Sequence, residues 1–228
     1  MKVALFSYHT FAQPGGVKRH IFGLYSEFKK RGIDCKIVVP RRERNENYGP
    51  DVILLGTSFP LFFSGSLADF TLFFNPFGLK KLLIKEKFDV LHFHNFGIAT
   101  LQALEQSNSL NILTFHASVE GNDFLKRFPI VLETLNKVAQ SKLDGIIGVA
   151  PLNLRVFKKY NGPKIVIPNG IDLNIFNPQV KRLEKFNNKK INILFLGRIE
   201  ERKGLIYLLN AFKILEKKYS NLRLIVVG

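Results

Sequence analysis

The 228-residue sequence is poor in cysteine and in acid. Cys35 is the single cysteine, which excludes an internal disulfide and a cysteine-based zinc site and fits a reducing compartment. No apolar run approaches the eighteen residues or so that a membrane-spanning helix requires. Met1-Lys2 runs straight into Val3-Ala4-Leu5-Phe6, too short for the apolar core of a signal peptide, so this stretch reads as the first strand of a fold and the chain as cytoplasmic. Only 18 Asp and Glu face 34 Lys and Arg, for a formal net charge of +16. Such a balance suits nucleic acid, anionic lipid or phosphorylated small molecules, or a lysine-rich proteome keeping its proteins soluble. No helix-turn-helix, zinc finger or aromatic-basic RNA motif is present, so nucleic acid is not expected as a partner. With 46% hydrophobic and 23% charged residues the composition is that of a folded globular chain.

Short apolar runs alternate with amphipathic stretches, which predicts an α/β fold with a doubly wound, Rossmann-like parallel sheet. Strands are expected at Lys2–Ser7, at Cys35–Val39 (stopped by Pro40), at Val52–Leu55, Asp89–Phe93, Asn111–Phe115, Gly145–Val149 and Lys164–Ile167. Ile21, Leu24, Tyr25 and Phe28 recur at helical spacing, and further helices are expected over Phe124–Ser141 and Leu152–Tyr160. The polar, basic stretch 177–190, which contains Pro178, reads as a linker between a first domain, 1–176, and a second, 191–228. In the second, Asn192–Leu196, Leu205–Lys218 and Leu222–Val227 form one β-α-β unit, which cannot cover both faces of its strands and reads as an incomplete domain.

Ligands of such sheets belong at the carboxyl ends of the strands. There Pro14-Gly15-Gly16 follows the first strand and precedes a helix, so the backbone can approach a bound group and the helix terminus favours an anion. It is not a G-x-G-x-x-G fingerprint, and such a turn by itself is commonly only a turn. His92 and His94 share one strand face; a metal would need a third ligand from elsewhere, so packed or hydrogen-bonded histidines are expected and no metal. His116 ends another strand, and all five histidines, 9, 20, 92, 94 and 116, fall at or near strand ends of the first domain. Arg198 and Lys203 follow the strand Asn192–Leu196 at the mouth of a helix, where two cations suit a diphosphate. Seven phenylalanines between Phe59 and Phe77 run into Lys80, Lys81, Lys85 and Lys87. That pattern fits interfacial anchoring on an anionic membrane, and it equally fits core under a long loop.

Gly197-Arg198 with Lys203-Gly204, Pro168-Asn169-Gly170-Ile171-Asp172 and Pro14-Gly15-Gly16-Val17-Lys18-Arg19-His20 together resemble the retaining glycosyltransferases of family four. Within that family the spacing of Pro14-Gly15-Gly16-Val17, Phe88-Asp89-Val90-Leu91-His92 and Thr114-Phe115-His116 is similar to the phosphatidylinositol mannosyltransferases. The resemblance implies a two-domain GT-B fold and transfer of a sugar from a nucleotide-sugar donor to a lipid-linked or glycan acceptor, with no cofactor. It implies His116 as the catalytic positioning group, Gly16, Arg198 and Lys203 at the donor phosphates, His9 and Gly15 on the acceptor side, and Lys80, Lys81 and Lys85 at an anionic membrane surface as a peripheral contact. Ala12, His9 and the sequence Ala117-Ser118-Val119-Glu120-Gly121 depart from the mannosyltransferase pattern, which leaves the acceptor open. The resemblance also implies that donor-sugar contacts lie beyond Gly228, so the chain reads as a fragment or a half that needs a partner, expected to transfer no sugar alone. A non-catalytic membrane- or sugar-phosphate-binding module is the competing reading.

Overall fold

A computed structural model describes residues 1–12, 15–63, 66–71, 75–117, 129–181, 183–187 and 189–228, the side chains of 61–63, 66–70 and 202 excepted. The chain divides into two compact units, Met1–Pro60 with Asp69–Gly170, and Leu61–Ala68 with Ile171–Gly228.

The first unit is organised by the strands of a sheet ordered β4-β3-β2-β1-β5-β6-β7-β8, of which the end of β3 and the start of β4 fall in the stretch Leu61–Ala68. Its strands are β1 (Lys2–Ser7), β2 (Asp34–Arg41), β3 (Val52–Phe63), β4 (Ser66–Thr71), β5 (Val90–His94), β6 (Leu110–Phe115), β7 (Gly145–Gly148) and β8 (Lys164–Val166). Every pair from β3 across to β8 is parallel. Helices α1 (Gly16–Lys30), α2 (Pro76–Glu86), α3 (Ile98–Glu105), α4 (Pro129–Lys142) and the single turn α5 (Pro151–Leu154) separate the strands. This is the expected doubly wound α/β arrangement.

Alternation along β1 shows how the sheet is covered. Val3 and Leu5 join Ile37, Val39 and Cys35 in one core, closed by Ile21 of α1 and by Phe11. Ala4 and Phe6 join Leu91's neighbour Phe93, Leu113, Phe115 and Ile146 in the other, under Leu79 of α2, Ala99 and Ala103 of α3 and Ala139 of α4. A strand buried on both faces is what a parallel sheet with helices on each side demands. Burial also pushes the Cys35 thiol up to about 12, so it behaves as a small apolar side chain and not as a nucleophile.

Three expectations are corrected. Pro40 does not stop β2, which runs to Arg41; the register to β3 shifts between Val39 and Arg41, and there the ladder does not need the missing N–H. Val39 pairs with Leu54 and Arg41 with Thr57, so β3 carries one residue more, and Gly56 at φ +84° absorbs it. Beyond that bulge β3 continues to Phe63, where the sequence read as loop after Leu55. The helix expected over Leu152–Tyr160 is one α-turn followed by a 3₁₀ turn at Arg155–Phe157. The Asn136 side chain replaces the helical bonds, donating to the Val156 carbonyl (2.8 Å) and accepting from the Lys159 N–H (2.9 Å). The first part of the helix expected over Phe124–Ser141 lies outside the described residues, and α4 runs from Pro129.

In the second unit β9 (Ile191–Leu196), α6 (Leu205–Leu215) and β10 (Leu222–Val227) form a parallel β-α-β unit with Ile191 opposite Leu222 and Leu196 opposite Val227. The stretch 177–190 holds a 3₁₀ turn at Glu184–Phe186, and its Lys185 carbonyl accepts from the Arg223 guanidinium (2.9 Å).

Candidate functional site

Strand order reverses at β1. The chain first walks outward through β2 and β3, then returns to pair β5 against the other side of β1 and walks out through β6 to β8. A crevice opens at the carboxyl ends of strands on either side of such a switch. Ser7, His94 and Thr114 stand level there on β1, β5 and β6.

Asn95 builds the loop after β5. It sits at φ +67°, a conformation that Asn tolerates better than most residues. Its N–H donates to the Thr114 carbonyl (2.9 Å) and its side-chain oxygen accepts the His116 N–H (2.7 Å), so the end of β6 is latched to the end of β5. The latch brings His94 Nδ1 to 3.4 Å from His116 Nε2. His20, one turn into α1, sets its ring edgewise against both, with centroids 5.2 Å from His94 and 4.9 Å from His116. Behind them His92 is buried with its Nε2 2.7 Å from the Thr114 hydroxyl oxygen and its ring 4.5 Å from that of His94. His9 continues from β1, its N–H donating to the Ser7 hydroxyl oxygen (3.1 Å) and its ring lying against Tyr8.

Burial decides the charge of this cluster. Desolvation first, and the neighbouring imidazoles second, push His116 down to about 4 and His92 to about 3, and hold His94 well below its ordinary value. Burial lowers His20 as well. At neutral pH the crevice therefore presents neutral imidazoles, each with one donor and one acceptor nitrogen. Such groups orient and hydrogen-bond hydroxyls without adding positive charge.

Gly15 caps α1 with extended backbone and no side-chain bond, and Gly16 is its first residue. Neither has a positive φ, and a Cβ built on either meets nothing within 4 Å. Glycine is not needed here by the backbone; what it leaves is space at the start of a fifteen-residue helix that has no side-chain cap among the described residues, a natural anion site. Pro14, the first residue of that motif, lies outside the described residues.

The two cations expected for the donor lie in the second unit. Arg198 follows Gly197 at the end of β9 and pairs with Glu200 at 2.8 Å. Lys203 is exposed and closes a 3₁₀ turn, Glu201–Lys203. Next comes Gly204, at φ +71°, which starts α6 without a side-chain cap. Here too an uncapped helix terminus follows a parallel strand, this time beside fixed positive charge.

The basic segment is helical. The Asn75 side chain accepts the Gly78 N–H (3.0 Å) and Pro76 opens α2, a strong start signal. Leu79 faces the core, while Lys80, Lys81, Lys85 and Lys87 are exposed together with Phe77 (85% exposed) and Ile84 (63%). Phe59 is exposed as well, and the side chains of Phe62, Phe63, Phe70, Phe73 and Phe74 lie outside the described residues.

Sequence reasoning named His116 and His94 but passed over two partners. Of the five histidines His20 carries no role in the sequence reading, and Asn95 does not appear in it; an Asn directly after a strand ending in His is the signal available. Among the described residues no helix is long and apolar enough to cross a membrane.

A profile of the family described as Glycosyltransferase Family 4 matches residues 14–175, and one described as Glycosyl transferases group 1 matches residues 177–228. The chain is 30% identical to the phosphatidyl-myo-inositol mannosyltransferase of Mycobacterium tuberculosis over all of its own length and 60% of that protein. It is 24% identical to the alpha-monoglucosyldiacylglycerol synthase of Acholeplasma laidlawii, over all of its length and 63% of that protein. The chain thus spans about three fifths of the relatives it matches. Among solved structures it is similar to sucrose-phosphate synthase from Thermosynechococcus elongatus, with a TM-score of 0.73 and 18% identity over all of this chain and 62% of that one, a likeness of fold.

Proposed function

The chain belongs to glycosyltransferase family 4, and from that membership we propose that it supplies the acceptor-side domain and the diphosphate-contacting β-α-β unit of an enzyme that moves a sugar from a nucleotide-sugar to a lipid-linked or glycan acceptor. The observation that carries the reading is the crevice at the strand switch, where Asn95 holds a neutral His116 beside His94 and His20. A neutral imidazole there can hydrogen-bond a sugar or acceptor hydroxyl as the glycosidic bond breaks, and its effect is positioning more than proton transfer. Gly15 and Gly16 leave room at the start of α1 for a phosphate or sugar. Arg198 and Lys203 would stabilise the departing nucleoside diphosphate by charge alone. In this reading Arg198 either keeps Glu200 as a shared partner or exchanges it for phosphate oxygen.

A lipid acceptor is favoured by α2. Exposed Phe77 and Ile84 beside four exposed lysines make an apolar and cationic surface of the kind that rests on anionic headgroups.

The test is transfer itself. The chain, alone and within any longer form encoded with it, is offered radiolabelled UDP- and GDP-sugars with phosphatidylinositol or diacylglycerol vesicles and with soluble glycans. Incorporation that falls by about 100-fold or more in His116→Ala supports the reading. Incorporation that His116→Ala leaves intact overturns the role of the crevice. The membrane component is read separately: replacing Lys80, Lys81, Lys85 and Lys87 with Gln should release the protein from anionic vesicles at low salt.

A further inference from the structure

We infer that His20, His94 and His116 form a binding site for a divalent transition-metal cation of the zinc class. The three come from α1, from the end of β5 and from the residue after β6, so the fold and not the local sequence brings them together. One ring nitrogen from each lies within 4.8 Å of the other two. The spacing within the trio is informative. His94 Nδ1 and His116 Nε2 are 3.4 Å apart, long for a hydrogen bond. It matches the edge of a tetrahedron about 3.3–3.4 Å long that Zn–N bonds of about 2.0–2.1 Å produce. His20 is the ligand that must close in, and it is the one free to do so, being half-buried on a helix face and not locked in a strand.

The chemistry of the donor set narrows the ion. Three imidazoles select zinc, copper, nickel or cobalt over magnesium or calcium, which want oxygen. Burial keeps His94 and His116 neutral, the form that ligates. His92 stands outside the trio, its Nε2 2.7 Å from the Thr114 hydroxyl oxygen, and its ring packs against that of His94. The expectation of no metal rested on the missing third ligand beside His92 and His94; the fold supplies two, His20 and His116, to His94 alone. Three protein ligands leave a fourth position open to water or to an anionic oxygen.

If the transferase reading also holds, metal here takes the lone pair of His116 and inhibits transfer until a chelator removes it. The site itself does not depend on that reading, and its test does not use activity. Chelator-treated chain is titrated with Co²⁺, followed by visible d–d absorption, and with Zn²⁺ by calorimetry. One equivalent should bind with micromolar or tighter affinity and raise the melting temperature. His20→Gln, on a half-exposed helix face where the fold tolerates change, and His116→Gln should each weaken binding by more than about tenfold and abolish the absorption band. Absence of binding at millimolar metal overturns the site. So does unchanged affinity in a folded His20→Gln, which would place the ion elsewhere on the chain.

Discussion

Two crossings in this chain, β1 to α1 in the first unit and β9 to α6 in the second, are built from the same parts: a parallel strand, a glycine-bearing loop and a helix whose first turn has no side-chain cap. Their surroundings are opposite. β1 is buried on both faces and opens on neutral imidazoles. The second crossing carries exposed Leu194, Leu196, Ile206 and Tyr207, and ends on Arg198 and Lys203. The shared device fits binding of an anion or a polar group at a helix start; the difference teaches what each does with it. In the proposed function, the desolvated crevice without charge would position hydroxyl groups. The exposed loop with two cations would neutralise phosphate.

The largest expected difference between the regions is mechanical. Phe93 is buried near the carboxyl end of β5, its ring 5.4 Å from Phe6, so Phe93→Ala should cost about 3–5 kcal/mol of the first unit's stability. Leu194 holds the middle of β9 but is 59% exposed, and Leu194→Ala should change stability by under about 0.5 kcal/mol. Denaturant melts followed by hydrogen exchange assign each loss to its unit. Equal costs would mean that the face of β9 bearing Leu194 is covered in solution.

Acid should separate the units next. All five histidines lie between residues 9 and 116, within the first unit. His92 and His94 bind protons less readily when folded than when unfolded. The unfolded chain therefore takes up protons first as pH falls below about 6.5, and folded stability drops from there toward the lower native values. The slope is at most about 1.4 kcal/mol per pH unit for each buried imidazole. With a chelator present, protection in β5 and β6 should weaken between pH 7 and 5 while that in β9 and β10 holds. Parallel loss in both would remove the imidazoles as the cause.

Much of this contrast was legible in the sequence because it rests on periodicity. Apolar runs gave the strands from β1 to β10 whose residues alternate or run continuously, and the ends of β1 and β10 were placed to the residue. β3 was cut short because Gly56-Thr57 looks like a turn, when only pairing with β2 shows that the glycine absorbs a bulge. The edge strand β4, beside β3 and only two residues after it, was hidden because the phenylalanine-rich stretch reads equally as core or as a membrane contact. His116 stands out at a strand end, but its role comes only from the family resemblance. The His20–His94–His116 triangle could not be read from the sequence, since a helix and two strands that are far apart in sequence must first be packed together. Asn95 is invisible for a different reason, because its role depends on a positive φ.

The smallest effects come from the two glycines that open the helices, and they test the comparison at its finest point. Gly204 occupies the left-handed region at φ +71°, where an L side chain is strained, and a Cβ there would stand 3.4 Å from the Tyr207 ring. Gly204→Ala should cost about 1–2 kcal/mol through the backbone alone. Gly16 has an ordinary φ, open space around its Cβ and a place in the first turn of α1, so Gly16→Ala should be neutral within about 0.5 kcal/mol. Gly16→Val should also fold, yet its methyls would fill the space at the start of α1. Binding of a nucleoside diphosphate or a sugar phosphate to this edge, measured by calorimetry, should then be lost while circular dichroism and melting stay near those of the parent. If Gly16→Val melts early instead, the glycine serves the turn and not a ligand, and the likeness between the two helix starts ends at their backbones.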